Sequence, residues 1–314
     1  MGYNTGYAIE RFEDFPLYVK YKKKCTPMIS EKLQKKIEQS ILLLQSIQKR
    51  YEGEIELAYS GGKDSDVILQ LAKEAGIRYR AIHKCTTIDP SGTLAHVKEM
   101  GVEIRRPAVS FFQLVAKKGF PSRFSRFCCE KLKEYKILDK AIIGVRKDES
   151  RARESRYNEP TMCRFYGAQK EENHVEQIYP ILEWSNEDVK EFILDRELKL
   201  APIYYDAKGK IDVKKRLGCM CCPLASRKKR IIEFQEHPLI AKAYLRAGQK
   251  FLDTHPSCKA KEKYESVYEW FTRDVFFSRN EEWEIVTKSI FGKPNFKKFL
   301  ENKFGTDLTL KNYN

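Results

Sequence analysis

The feature that most constrains this 314-residue chain is the stretch LAYSGGKDSD at positions 57–66. The residues EIELAYS at 54–60 read as a short, mostly apolar strand, and DSDVILQLAKEA at 64–75 reads as a helix with Gly76 as its stop. Between them Ser60, Gly61, Gly62, Lys63, Asp64 and Ser65 form a turn suited to an anion. Two glycines let backbone N–H groups approach phosphate oxygens, the helix N-terminus contributes its dipole, and Lys63 adds a full positive charge. The hydroxyls of Ser60 and Ser65 are further donors. Glycines that merely relieve a tight turn need neither flanking serines nor a lysine. The spacing is not that of a Walker A loop, which has four residues between its first glycine and the Gly-Lys pair.

The surrounding texture predicts an α/β fold: an open, mostly parallel sheet with helices on both faces. Strands are expected at 78–84, 102–108 and 141–146, and helices at 93–101 and 127–140. Ahead of this core, residues 1–53 read as an extension carrying one amphipathic helix, on which Leu33, Ile37, Ile41, Leu44 and Ile47 recur at helical spacing. The nucleotide-binding unit spans 54–226. Its pattern loosens after about residue 160, although Ser185 is an expected N-cap, with Glu187 and Asp188 in the first turn of the helix it opens. Residues 227–314, with Phe234, Tyr244, Phe251, Phe271 and Phe276, read as a helical C-terminal region. No apolar run is long enough to span a membrane, and the N-terminus has no signal-peptide core, so a cytoplasmic protein is expected.

Charge and cysteines carry the chemistry further. Lysine and arginine outnumber acids 59 to 44, a net charge of +15, with clusters at Lys20–Lys24 and Arg227–Arg230. Such an excess suits a polyanionic partner, either nucleic acid or a phosphate-rich nucleotide, and is also what a solvated basic surface looks like. Nine cysteines without an export signal point to metal or catalysis rather than to a disulfide framework. Cys128 and Cys129 are adjacent, and Cys219 and Cys222 form a CxxC with Cys221 inside it. Four thiolates from two such pieces suit a [4Fe–4S] cluster; zinc competes but prefers paired CxxC knuckles. In GVRKDESRAR at 144–153, the strand before Arg146 should end on the same sheet edge as the loop. Phosphate contact is therefore expected from Arg146, and Arg126 and Lys133 add positive charge near the cysteines.

With these pieces on the page, SGGKDS resembles the pyrophosphate loop of the N-type ATP pyrophosphatases. Those enzymes split ATP between the α and β phosphates and pass AMP to an acceptor oxygen. The vicinal cysteines, the distant CxxC, and the segments at 119–133, 144–153 and 180–223 resemble the iron–sulfur branch of the phosphoadenosine phosphosulfate (PAPS) reductase family. The resemblance covers about residues 54–226 and implies a HUP-like fold, ATP with Mg²⁺, and a [4Fe–4S] cluster on Cys128, Cys129, Cys219 and Cys222. Asp64 is a candidate for the magnesium. The nucleotide would contact Ser60, Gly61, Gly62, Lys63, Asp64, Ser65, Arg146, Glu149, Ser150 and Arg153, with Lys63 and Arg146 as catalytic groups.

Sulfonucleotide reductases attack with a C-terminal cysteine in an ECG-type motif, which this sequence lacks, and their phosphate loop is degenerate. An intact loop with a cysteine cluster is similar instead to sulfur-transfer enzymes, notably the ATP pyrophosphatase of DNA phosphorothioation systems and some tRNA thiolases. The expectation is therefore adenylation of an acceptor oxygen for sulfur incorporation, with a nucleic acid as acceptor and a cysteine-desulfurase-type protein as sulfur donor. The alternative is a reductase with Cys258 or Cys221 as nucleophile; a third reading is a non-catalytic nucleotide- and nucleic-acid-binding subunit.

Overall fold

The computed structural model describes residues 29–135, 137–165, 174–276 and 294–310. Lys20–Lys24 and Cys25, with the rest of the extension's first 28 residues, lie outside them. Six strands form one sheet in the order β3-β2-β1-β4-β6-β5. They are β1 (Ile55–Ala58), β2 (Tyr79–Lys84), β3 (Glu103–Arg105), β4 (Lys140–Ile142), β5 (Thr161–Phe165) and β6 (His174–Ile178). All neighbours run parallel except β5, which pairs antiparallel with β6 at one edge. The order reverses between β1 and β4, where a crevice opens at the carboxyl ends of the strands, and ligands of open α/β sheets bind at such a switch point.

The expected strand–loop–helix unit forms as read. The α2 helix (Lys63–Ala75) follows β1 after the loop and ends at Gly76, whose φ of 64° is left-handed. The extension's helix α1 (Glu31–Arg50) starts at Ser30, whose hydroxyl accepts from the Leu33 N–H. Leu33, Ile37, Leu44 and Ile47 are buried in the same core as β1 and α2, so α1 is a layer of the nucleotide-binding unit. Helix α3 (Thr93–Glu99) lies where expected. Helix α7 (Asn186–Asp195) has the Ser185 cap, closed as a capping box by Asp188.

The sequence reading differs from the structure in three places. The helix expected over 127–140 is only α5 (Phe127–Leu132). Helix α4 (Phe111–Lys118), opened by a Ser110–Gln113 capping box, was not anticipated, nor was the β5–β6 pair. The C-terminal region is helical as expected. It comprises α8 (Arg227–Glu236), α9 (Pro238–Thr254), α10 (Lys259–Lys263), α11 (Val267–Trp270) with a π-turn to Phe276, and α12 (Phe296–Phe304). Between β4 and β5, α6 (Arg151–Glu154) is a single turn.

A second core joins these helices to α4 and α5. Phe111, Val115, Phe127 and Leu132 are buried with Phe234, Tyr244, Leu245 and Phe271, and Cys221 is in the same cluster. Tyr244 sits at its centre, with the Phe111 and Phe234 rings 5.3 and 5.4 Å away. The segment bearing the first cysteine pair is thus clamped by residues more than a hundred positions downstream.

One close approach fixes the crevice. A Cβ added to Gly144, just after β4, would lie 2.9 Å from the Asp64 carbonyl oxygen, a backbone atom that cannot move without shifting α2. Gly144→Ala is expected to destabilise the protein by about 1–3 kcal/mol, a typical overpacking cost, and to open the loop. Urea unfolding checks the first effect, and a nucleotide affinity that falls further than the stability loss explains checks the second.

Candidate functional site

The loop's geometry follows from its residues. Gly61 takes a left-handed φ of 79°, and Gly62 caps α2 with extended backbone. The Ser65 hydroxyl donates to the Gly62 carbonyl at 2.6 Å, and the Gly62 N–H reaches Ser60 Oγ at 3.3 Å. Lys63 is 2% exposed, and burial pushes its ammonium below the ordinary lysine value while Asp64 pulls it back up. Asp64 joins two cations: Lys63 Nζ lies 2.8 Å from its Oδ2 and Arg146 Nε 2.7 Å from its Oδ1. Behind the loop, the Tyr59 hydroxyl donates to Asp66, and His96 Nε2 lies 3.0 Å from Asp66 Oδ1, tying β1 to α2 and α3.

Arg146 is placed differently from the expectation. Its guanidinium is 1% exposed and donates to Asp64, to the Trp184 carbonyl at 3.2 Å and to Asn186 Oδ1 at 3.0 Å. It does not line the crevice cavity; it braces Asp64 and the start of α7. Ser150 is exposed and caps α6, accepting from the Arg153 N–H. The cationic wall is made instead by Lys63, Arg153, Arg216 and Lys133. Arg153 is paired with Glu149, and Arg216 donates to the Glu149 carbonyl, so Glu149 organises that wall.

The cavity encloses about 540 Å³. Ser60, Gly62, Lys63, Asp64 and Ser65 line it together with Cys128, Cys129, Cys219 and Cys222. The cysteine loop is shaped to do this. Met220 N–H donates to the Ile88 carbonyl at 2.9 Å and Cys221 N–H to Glu233 at 2.8 Å. Cys221 takes a left-handed φ of 54°, which buries its side chain in the second core while Cys219 and Cys222 face the cavity. Burial pushes the Cys221 thiol up. A hydrogen bond from Cys128 pulls the Cys129 thiol down to about 6, with Lys133 and Arg126 adding to the effect. The same hydrogen bond, together with burial and the facing Cys219 and Cys222, raises Cys128.

The phosphoadenosine phosphosulfate reductase domain matches residues 54–225, over half of the chain. The protein belongs to this family. An uncharacterized protein of Methanocaldococcus jannaschii is 30% identical over 208 residues, covering 62% of this chain and 47% of its own length. The sulfate adenylyltransferase subunit 2 of Alkalilimnicola ehrlichii is 27% identical over 205 residues, covering 54% of this chain and 66% of its own. The chain therefore spans between about half and two thirds of the curated relatives it matches. Among solved structures it is similar to the U34-tRNA thiolase NcsA of Methanococcus maripaludis with its [4Fe–4S] cluster (16% identity, TM-score 0.40, 74% of this chain and 82% of that one). It is also similar to the PAPS reductase of Candida auris (13% identity, TM-score 0.39, 61% and 96%).

Within the PAPS reductase domain, the four cysteines fit a cluster better than a single ion. Among the described residues no three His, Cys, Asp or Glu side chains converge on one point as an ion would require. A [4Fe–4S] cluster instead asks for four thiolates around one void, one for each iron. Four soft donors lining one cavity are of that type. Asp64, the candidate for magnesium, lines the cavity with Lys63 on one of its oxygens and Arg146 on the other.

Sequence reasoning did not single out Arg216, Tyr204 or Tyr244, which also line the cavity. The signal for Arg216 was its place three residues before Cys219; Tyr244, on α9, gave none. In metal-free protein at pH 7, iodoacetamide is expected to label Cys129 ahead of Cys221, as mass spectrometry reads. The Cys129 rate falls as pH drops through about 6, because only the thiolate reacts. Arg146→Ala removes a buried guanidinium and leaves Asp64 with Lys63 alone, and is expected to lower unfolding free energy by about 1–3 kcal/mol, read in urea.

Proposed function

We propose that this chain is an ATP pyrophosphatase that adenylates an acceptor oxygen for sulfur incorporation, with nucleic acid as the acceptor. One observation carries the reading: Ser60, Gly62, Lys63, Asp64 and Ser65 of the phosphate loop line the same cavity as the four cysteines. An adenylated intermediate formed at the loop then stands within reach of sulfur delivered at the cysteines.

In the first step the acceptor oxygen attacks the α-phosphorus of ATP. The bond from that phosphorus to the bridging oxygen breaks, and pyrophosphate leaves. Ser60, Ser65, the Gly62 N–H and the buried Lys63 ammonium hold the leaving group at the start of α2, where the helix dipole adds to the charge. Arg153 and Arg216 neutralise charge along the adjoining wall. In the second step sulfur at the sulfide level, reached from a donor persulfide with two electrons from an external reductant, bonds to the atom bearing the adenylated oxygen; the bond to that oxygen breaks, and AMP leaves. Cys128, Cys129, Cys219 and Cys222 would hold a [4Fe–4S] cluster, which would supply sulfide or pass electrons from an external reductant to persulfide sulfur. A cysteine-desulfurase-type protein is the donor this chemistry calls for.

Two further observations support adenylyl transfer over reduction. The curated relative from Alkalilimnicola ehrlichii is named for adenylyl transfer, and as a subunit it suggests that this chain too works with a partner. Neither Cys221 nor Cys258 lines the cavity, so the reductase reading lacks its nucleophile there. Among the described residues no helix is long and apolar enough to cross a membrane.

The test is anaerobically reconstituted protein with ATP and candidate RNA and DNA acceptors. Pyrophosphate release is expected, and Lys63→Ala is expected to lower its rate by about 100-fold or more, the usual effect of losing one preorganised donor on developing charge. Sulfite from PAPS or adenylyl sulfate, with no pyrophosphate from ATP on any acceptor, overturns the reading. Cys219→Ala is expected to abolish the visible absorption of the reconstituted cluster while leaving ATP binding measurable.

A further inference from the structure

The connection from α4 to α5 carries three phenylalanines in eight residues, and the fold treats one of them differently. Phe120 packs on Trp270, ring centroids 4.1 Å apart, and Phe127 is buried in the second core. Pro121 is buried as well. Phe124, between these anchors, is fully exposed. Burying such a ring stabilises a fold by about 1.5–3 kcal/mol, and a core that takes both neighbouring rings lies beside it. The Phe124 ring is nevertheless held outward.

The tip that carries it is ordered by its own hydrogen bonds. Ser122 Oγ accepts from the Phe124 N–H at 3.2 Å and the Ser125 N–H at 3.1 Å, and the Ser122 N–H donates to the Ser125 carbonyl at 3.1 Å. Arginines flank the ring on both sides. Arg126 is exposed and close enough to Cys129 to act on its thiol. Arg123 is exposed and acts on Arg230, within the Arg227–Arg230 cluster that opens α8. Residues 119–127 contain no acid. An aromatic ring on a hydrogen-bonded turn therefore stands in the segment leading into the first cysteine pair, flanked by exposed Arg123 and Arg126.

We propose that Phe124 is a stacking platform for an unpaired base of the acceptor strand, with Arg123 and Arg126 on the phosphates to either side. Stacking on an exposed ring requires a base outside a duplex, and the arginines require a polyanion; an unpaired nucleic-acid segment meets both demands. The arrangement holds the strand at the segment leading into the first cysteine pair. This inference rests on the nucleic-acid acceptor of the preceding reading and adds to it that the acceptor is single-stranded where it binds.

The test is fluorescence anisotropy of the full chain with short labelled oligonucleotides: single-stranded RNA, single-stranded DNA, and a duplex. Unpaired strands are expected to bind ahead of the duplex, and preference for either sugar supports the proposal. Phe124→Ala is expected to weaken unpaired-strand binding by about 5- to 100-fold, the range for loss of one base–aromatic stack. Phe124→Trp is expected to retain it. Arg123→Ala and Arg126→Ala are each expected to lower the slope of log affinity against log salt by about 0.7. Thermal melting of each variant shows that the fold is intact. Unchanged affinity in Phe124→Ala, or a duplex bound as tightly as an unpaired strand, overturns the proposal. Pyrophosphate release is measured separately, so its absence would sink the adenylation reading and leave the strand-binding result standing.

Discussion

The buried ion pair between Arg146 and Asp64 is the interaction on which the crevice depends. It crosses the switch point of the sheet, joining Arg146, in the loop that follows β4, to the first turn of α2. Two charges taken out of water need each other and further hydrogen bonds to be tolerated. Here Asp64 also receives Lys63, and Arg146 also donates to the Trp184 carbonyl and Asn186. The loop is consequently anchored from behind before any anion arrives. The electrostatic consequence is that Asp64 raises the Lys63 ammonium against the lowering that burial and Arg146 impose.

A second constraint acts on the cysteines. Two short segments nearly ninety residues apart must present thiols to one space, and neither has the regular structure to do so alone. The C-terminal helices supply the rigidity. Tyr244 packs against Phe111 and Phe234, its hydroxyl donates to the Cys221 carbonyl, and its ring also lines the cavity. The helical region is therefore part of the site's construction, and α1 is likewise part of the sheet's core. The units read from sequence as extension, nucleotide-binding unit and C-terminal region share two cores between them.

How much could be read in advance varied with the strength of local signals. The loop, β1 and α2 were legible because glycine, serine and lysine have specific local jobs there and the helix has strong periodicity. The α1 face and the Ser185 cap were legible for the same reason. Helix α5 was over-extended because its periodic residues run on past Leu132, where the chain turns away. The β5–β6 pair was missed because the run 161–165, with exposed Cys163 at its centre, has little of the alternation that marks a strand. Arg146 was expected to contact phosphate because it follows a strand at the correct sheet edge. That position was correct, but its side chain turns inward to Asp64.

The sequence by itself determined the chemistry that is available: a complete anion loop, four soft thiols in two pieces, and a cationic chain. These are properties of residue types at short spacing, and short spacing survives in any fold. Only the tertiary structure decided which groups meet. It set the loop and the cysteines around one cavity, retired Arg146 and Cys221 into support, promoted Arg216 and Tyr244, and left Phe124 outside. Each of those outcomes depends on packing between segments far apart in the chain, where burial and ion pairing choose a side chain's direction.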